Sequence, residues 1–119
     1  MQVLFIVLND LSYEAEILRV FIDKKVRGAT IIDSEGMAKA VMKNEGLDFF
    51  FDGPFANSLP KNIGDSKTFF TVIPNDDLLQ DLVNEIQRLL YTSNRETIGF
   101  MFTVPVSGIY PLNKKTNRL

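Results

Sequence analysis

The stretch "VLFIVLNDL" (residues 3–11) decides the fold, because a second stretch, "FFTVIPNDDL" (69–78), repeats its pattern. In each, a mainly apolar run leads into an Asn-Asp pair and then into a helical pattern. Short apolar runs bounded by polar turn residues are typical of buried strands. Asn and Asp side chains accept the free backbone N–H groups of a first helical turn. The chain is therefore predicted to contain two similar strand–helix halves.

The first half continues as a helix and a second strand. Its apolar residues step by three or four, which is the helical period, at Leu11, Ala15, Leu18, Ile22 and Val26. Basic residues gather before Gly28, where a negative dipole end favours them, and glycine is the usual residue after a helix. We predict a helix that Asp10 or Ser12 caps and Gly28 closes, followed by a strand over 29–34.

The second half repeats this order. "KTFFTVIP" (67–74) predicts a strand, 75–90 a helix with an apolar face, and "IGFMFTVPVSGIY" (98–110) a last strand with alternating apolar residues. The complete order is β-α-β-loop-β-α-β. It predicts an α+β fold, the ferredoxin-like βαββαβ sandwich, with four antiparallel strands and two helices on one face. Because strands 3–8 and 68–73 are apolar on both faces, we expect copies of the chain to cover the other face.

The connection between the second and third strands, residues 36–66, shows no sustained period and holds four glycines and two prolines. A short strand over 47–51 is possible within it. Loops of this length are uncommon in compact domains and are usually functional or mobile. Its aromatic residues Phe49, Phe50, Phe51 and Phe55 are candidate anchors for a partner protein. The alternative is that they extend the sheet or pack on a neighbouring subunit.

The composition of the 119 residues favours a single domain (1–112) followed by a short basic tail (113–119). A net charge of −2 argues against nucleic acid as a partner, and no apolar run is long enough to predict membrane insertion. The chain has no cysteine, which fits a cytoplasmic protein, and no histidine for a catalytic base or metal ligand. We expect no enzyme activity and no metal site, and we interpret Asp76, Asp77 and Asp81 as residues that cap the helix or lie on its solvated face.

Three strings resemble the PII nitrogen-regulatory signalling family: "RGATIIDSEGMAK" (27–39), "FFTVIPNDDLLQDLVNEIQRL" (69–89) and "IGFMFTVPV" (98–106). The resemblance implies a homotrimer that performs signal transduction without catalysis. It also implies a small effector, with an adenine nucleotide as candidate, in clefts between subunits, and a T-loop over 36–66 that contacts a target protein. By position, the resemblance assigns these residues to the effector cleft: Thr30, Gly36, Met37, Ala38 and Lys39, with Ile73 nearby.

One stretch departs from the family pattern. "TSNRETIGF" (92–100) lacks most of the glycines with which the family's phosphate loop approaches a nucleotide, which argues against the usual mode of ATP or ADP binding. Two other functions stay open. One is a CutA-like trimer linked to metal tolerance. The other is a small ferredoxin-like enzyme, although the first turn, "NDLS", has no arginine to hold a phosphate.

Overall fold

The computed structural model describes residues 1–44, 65–91 and 98–113. In chain order its elements are β1 (Gln2–Leu8), a 3-10 turn (Leu11–Tyr13), α1 (Glu14–Asp23), β2 (Thr30–Ser34), α2 (Met37–Lys43), β3 (Ser66–Ile73), α3 (Asp76–Leu90) and β4 (Gly99–Pro105). The strands form one antiparallel sheet in the order β2-β3-β1-β4. The predicted α+β class is confirmed, and the strand order is compatible with a ferredoxin-like sheet. The possible strand over 47–51 lies outside the described residues.

The core lies between α1, α3 and one face of the sheet, here called the helix-covered face. In the register of β1 and β3, Leu4 lies opposite Thr71 and Ile6 opposite Phe69, and all four side chains are buried. The ring of Phe21 on α1 meets Phe69 edge-on, with ring centroids 6.3 Å apart. Side chains alternate between the faces of a strand, so the intervening residues of β1 point to the opposite face.

Both Asn-Asp pairs cap helices, as predicted, but through different members of the pair. In the first pair, Asp10 accepts hydrogen bonds from the backbone N–H of Ser12 at 3.1 Å and from its hydroxyl at 2.6 Å. In the second pair, Asn75 accepts from the backbone N–H groups of Asp77 at 2.8 Å and Leu78 at 3.3 Å. The repeated sequence pattern therefore reflects a repeated local structure, in which a strand runs directly into a capped helical turn.

The end of α1 differs from the prediction. The helix ends at Asp23, and Lys25 takes the left-handed conformation with φ of 60°. The backbone N–H of Val26 donates to the carbonyl of Phe21 at 2.9 Å, and that of Lys25 donates to Ile22 at 3.1 Å. These two bonds form a Schellman motif, in which the left-handed position is usually glycine. The prediction that Gly28 closes the helix was wrong, because the chain turns three residues earlier.

We expect the replacement Lys25→Gly to raise the free energy of unfolding by about 1 kcal/mol, because a left-handed lysine carries a steric cost that glycine avoids. The measurement is urea denaturation followed by circular dichroism. Arg27→Gly is the matched control, since Arg27 is also basic and exposed but does not have a positive φ. This control should lose stability slightly. Equal effects of the two replacements would contradict the assignment of the helix end.

Two further elements differ from the sequence prediction. The start of the long connection forms α2, a seven-residue helix, where no regular structure was predicted. The last strand ends at Pro105 rather than Tyr110, because its partner β1 begins at Gln2, directly opposite Pro105. Residues 106–113, here called the C-terminal arm, continue beyond the ladder after one hydrogen bond from the N–H of Val106 to the carbonyl of Met1.

Among the described residues, no helix combines the length and the apolar character that crossing a lipid bilayer requires.

Candidate functional site

The face of the sheet opposite the helices, here called the open face, is uncharged at every strand position. The register places these apolar residues on it: Val3, Phe5, Val7, Ile32, Phe70, Val72, Phe100, Phe102 and Val104. The remaining positions carry hydroxyl groups, at Thr30, Ser34, Ser66 and Thr68. An apolar surface of this kind on a small protein usually marks an interaction site.

Phenylalanine rings form a continuous row across this open face. Phe5 on the central strand stacks on Phe102 of β4, with centroids 4.7 Å apart and planes 8° apart. Phe70 of β3 lies 5.8 Å from Phe5 on the other side, and Phe100 lies 6.1 Å from Phe102. Phe102 is 43% exposed and Phe100 is 58% exposed. The row is therefore ordered by ring contacts, yet its β4 end leaves much of its apolar surface uncovered in the single chain.

A polar pocket of about 460 Å³, here called the edge pocket, lies where β2 runs into α2. It is lined by Leu11, Asp33, Ser34, Glu35, Lys39, Lys43, Asp65, Ser66 and Lys67. Its lysines are held in ion pairs: Lys39 with Asp65, and Lys43 with Glu35 at 2.6 Å. The third lysine, Lys67, pairs with Glu14 of α1 at 2.7 Å. Charged side chains thus meet at the edge pocket from three parts of the fold: β3, the start of the long connection, and α1.

Hydrogen bonds within the ion pairs shift the pKa values of Lys39, Asp65 and Lys67 in the direction that favours their charged forms. The hydrogen bond between the side chains of Lys39 and Asp65 raises the pKa of Lys39 and lowers the pKa of Asp65. The hydrogen bond that Lys67 donates to Glu14 likewise raises the pKa of Lys67. An anionic ligand that displaced the carboxylates would meet lysine ammonium groups beside serine hydroxyls. Such groups form charge-assisted hydrogen bonds with phosphate and carboxylate.

Side-chain hydroxyl groups form hydrogen bonds between β2 and β3 at the two ends of the long connection. The hydroxyl of Ser66 donates to the carbonyl of Ser34 at 2.8 Å, and the hydroxyl of Thr68 donates to Oγ of Ser34 at 3.0 Å. The oxygens Ser34 Oγ and Ser66 Oγ are 2.8 Å apart. These contacts fix the distance between the last residue of β2 and the first of β3. Hydrogen bonds between β2 and β3 therefore hold the serines that line the edge pocket next to each other.

The structure brings together only part of the predicted effector cleft. Gly36 is the N-cap of α2, and Met37, Ala38 and Lys39 form its first turn. Of these, Met37 is largely exposed, Ala38 is buried and Lys39 lines the edge pocket.

The other two predicted cleft residues lie elsewhere. Thr30 is at the far end of β2, on the open face opposite Phe70. Ile73 is buried on the helix-covered face, where it belongs to the core.

Of the nine pocket residues the sequence prediction named only Lys39, and it missed the other eight: Leu11, Asp33, Ser34, Glu35, Lys43, Asp65, Ser66 and Lys67. The string "GDSK" (64–67) supplies three of them. A strand rather than a helix follows this string, which excludes a P-loop but does not exclude a polar site of another kind. The pairing of β2 with β3 places Lys67 in register with Asp33, the charged residue of β2, and this contact between distant segments left no local signal in the sequence. The proposed partner-binding residues Phe49, Phe50, Phe51 and Phe55 lie outside the described residues.

A scan of the chain against models of known protein families finds no match, and neither does a search of curated proteins.

Proposed function

We propose that this chain is a PII-like regulatory protein that assembles as a homotrimer, binds a small anionic effector beside the edge pocket and contacts a target protein through residues 36–66. It performs no catalysis of its own and works in the cytoplasm. The observation that carries the proposal is the open face, an uncharged sheet surface with a row of phenylalanine rings. This surface needs a cover, and copies of the same chain are the simplest one.

Physical chemistry favours a self-complementary assembly. Burial of apolar surface contributes about 25 cal/mol per Å², and one aromatic side chain can bury about 150–250 Å². The open face presents four phenylalanines together with valine and isoleucine, so its burial would supply a substantial driving force. Because the face carries no charge, sister copies can approach without the desolvation of unpaired ions.

The position of the edge pocket supports an effector site at the boundary of such an assembly. β2 is one of the two edge strands of the sheet, and the pocket lies at the end of β2. A neighbouring copy that covers the open face would approach this edge, so a ligand held there could contact two copies. The phosphates of an adenine nucleotide match the lysines and serines of the pocket, and a nucleotide is the first effector class to test.

We expect Lys39→Ala to weaken nucleotide binding at least tenfold, because a charge-assisted hydrogen bond contributes about 1.5–3 kcal/mol. Isothermal titration with ATP, ADP, AMP and cyclic dinucleotides provides the measurement. Lys24→Ala is a closely matched control. Lys24 is 28% exposed and pairs with Asp81, while Lys39 is 29% exposed and pairs with Asp65.

Light scattering on the unmodified protein tests the trimer directly. An average mass three times that of the 13.5 kDa chain supports the proposal. A mass of one chain, or equal loss of nucleotide affinity in the Lys39 and Lys24 variants, would contradict it.

A further inference from the structure

A second cavity lies on the helix-covered side of β4, and its lining also includes Phe100 and Phe102 of that strand. This lateral groove has a volume of about 790 Å³ and runs between the C-terminal half of α3 and β4. Its walls include Val83, Leu90 and Met101, with the polar atoms of Gln87, Tyr91 and Thr103 at its border. No charged side chain lines it among the described residues. Among the described residues, α1 and α3 cover the two central strands and leave the inner side of β4 uncovered, which forms the groove.

The C-terminal arm has the complementary property. It carries large apolar residues that the described parts of the chain do not cover: Ile109 is 50% exposed, Tyr110 86% and Leu112 fully exposed. No residue of 106–113 is charged. The arm leaves the sheet at Pro105, whereas the groove extends along β4 from Ile98 and Gly99 to Thr103. The arm therefore departs from its own groove rather than folding back into it.

We propose that the C-terminal arm of one copy lies in the lateral groove of a second copy, with Tyr110 and Leu112 as the side chains that enter. The occupant is another copy of this chain because groove and arm match in two ways: both are uncharged, and both belong to the same edge strand. In a closed symmetric assembly each copy gives one arm and receives one, so no groove or arm is left over.

The contact between arm and groove is small, so it depends on the assembly that the proposed function describes. An aromatic side chain buries about 150–250 Å², while a stable interface needs about 800 Å² from each partner. Three side chains of the arm are too few to hold two copies alone. The arm contact therefore adds to the assembly through the open face, and in this respect the inference rests on the proposed function. Together the two contacts cover both sides of β4.

Disulfide cross-linking tests the inference, since the chain has no cysteine of its own. Differently tagged copies carrying Gln87→Cys or Leu112→Cys are co-expressed as full chains, purified as mixed assemblies and oxidised. Gln80→Cys is the control for Gln87→Cys. It replaces the same residue type on the same helix two turns earlier, about 10 Å from the groove position. We expect the cysteines at positions 87 and 112 to form at least tenfold more disulfide between different copies than the cysteines at positions 80 and 112.

The outcomes separate the two proposals. Equal linkage from Gln80 and Gln87, or absence of linkage in protein that light scattering shows to be assembled, would overturn the arm contact and leave the proposed function standing. A double variant, Gln87→Cys with Leu112→Cys, that links only within one chain would also overturn it. Single copies in light scattering would refute both proposals.

A second set of variants does not depend on cysteine chemistry. Ile109→Ser, Tyr110→Ser and Leu112→Ser, combined in one chain, alter only side chains that are at least half exposed, so each copy should still fold. We expect the dissociation constant of the assembly to rise at least tenfold. An unchanged dissociation constant, together with an apolar small molecule that mass spectrometry finds in the purified protein, would instead assign the groove to a ligand.

Discussion

Replacing Phe102 with lysine is expected to convert the assembled protein into single copies. Phe102 stands near the middle of the aromatic row, stacked on Phe5, and is 43% exposed in the single chain. A lysine there would place an unpaired ammonium group in an apolar interface. Such a group costs about 3 kcal/mol or more, which corresponds to a loss of association of at least 100-fold. Sedimentation velocity at several concentrations measures the change.

The fold of the single copy should survive this replacement, because lysine is well tolerated on edge strands. Ile22→Lys is the matched control, since Ile22 is a large apolar residue, 74% exposed, on the helical side of the molecule. This control should leave the assembly intact. Dissociation caused by both replacements alike would show that the added charge acts generally, and the open face would lose its assigned role.

Among the glycines that the structure describes, Gly99 is the one at which replacement by alanine should cost the most stability. A Cβ atom at this position would collide with the carbonyl oxygen of Val7 and lie 3.1 Å from Cα of Leu8. Both neighbours are backbone atoms of β1, so no side chain can move aside. We expect a decrease of about 3 kcal/mol in the free energy of unfolding, a large share of the 5–15 kcal/mol of a typical domain. Urea denaturation measures this decrease.

The close approach at Gly99 has a local cause. The carbonyl of the preceding residue, Ile98, accepts hydrogen bonds from two successive N–H groups, those of Asn9 at 2.8 Å and Asp10 at 3.1 Å. Gly28→Ala is the control, because a Cβ there would meet no atom within 4 Å. That replacement should be neutral or stabilise by up to about 1 kcal/mol, since alanine reduces the freedom of the unfolded chain. Similar losses at both glycines would contradict the assigned contact between β1 and β4.

The sequence predicted those parts of the fold for which several independent patterns indicate the same structure. The two apolar runs, the caps Asp10 and Asn75, and the long apolar periodicity of 76–90 each point to one structure, and they agree with one another. Helix α2 was missed because its signals are weak. It has seven residues, and its N-cap, Gly36, provides no side-chain hydrogen bond. The turn at Lys25 was missed because Gly28, three residues later, offers the more usual capping residue.

The candidate site was less predictable than the fold, because its residues come from separate segments. Lys39 was identified through a family resemblance that assigns the chain segment around Gly36, and it does line the edge pocket. Asp65 and Lys67 belong to β3 and its approach, and only the pairing of β2 with β3 brings them to Lys39. Local sequence patterns indicate helices and strands, whereas a pocket depends on contacts between residues that are distant in sequence.

The hydroxyl groups at the two ends of the β2–β3 pair have a consequence for strand register. β2 is an edge strand of five residues, mostly exposed, so apolar burial discriminates poorly between alternative alignments. At one end the buried hydroxyl of Thr71 donates to the carbonyl of Gly28 at 2.5 Å, and at the other the hydroxyl of Thr68 reaches Ser34. A slip of β2 in either direction would break both bonds at once. In this chain, polar contacts at its ends therefore give this edge strand an alignment that its own hydrophobicity could not select.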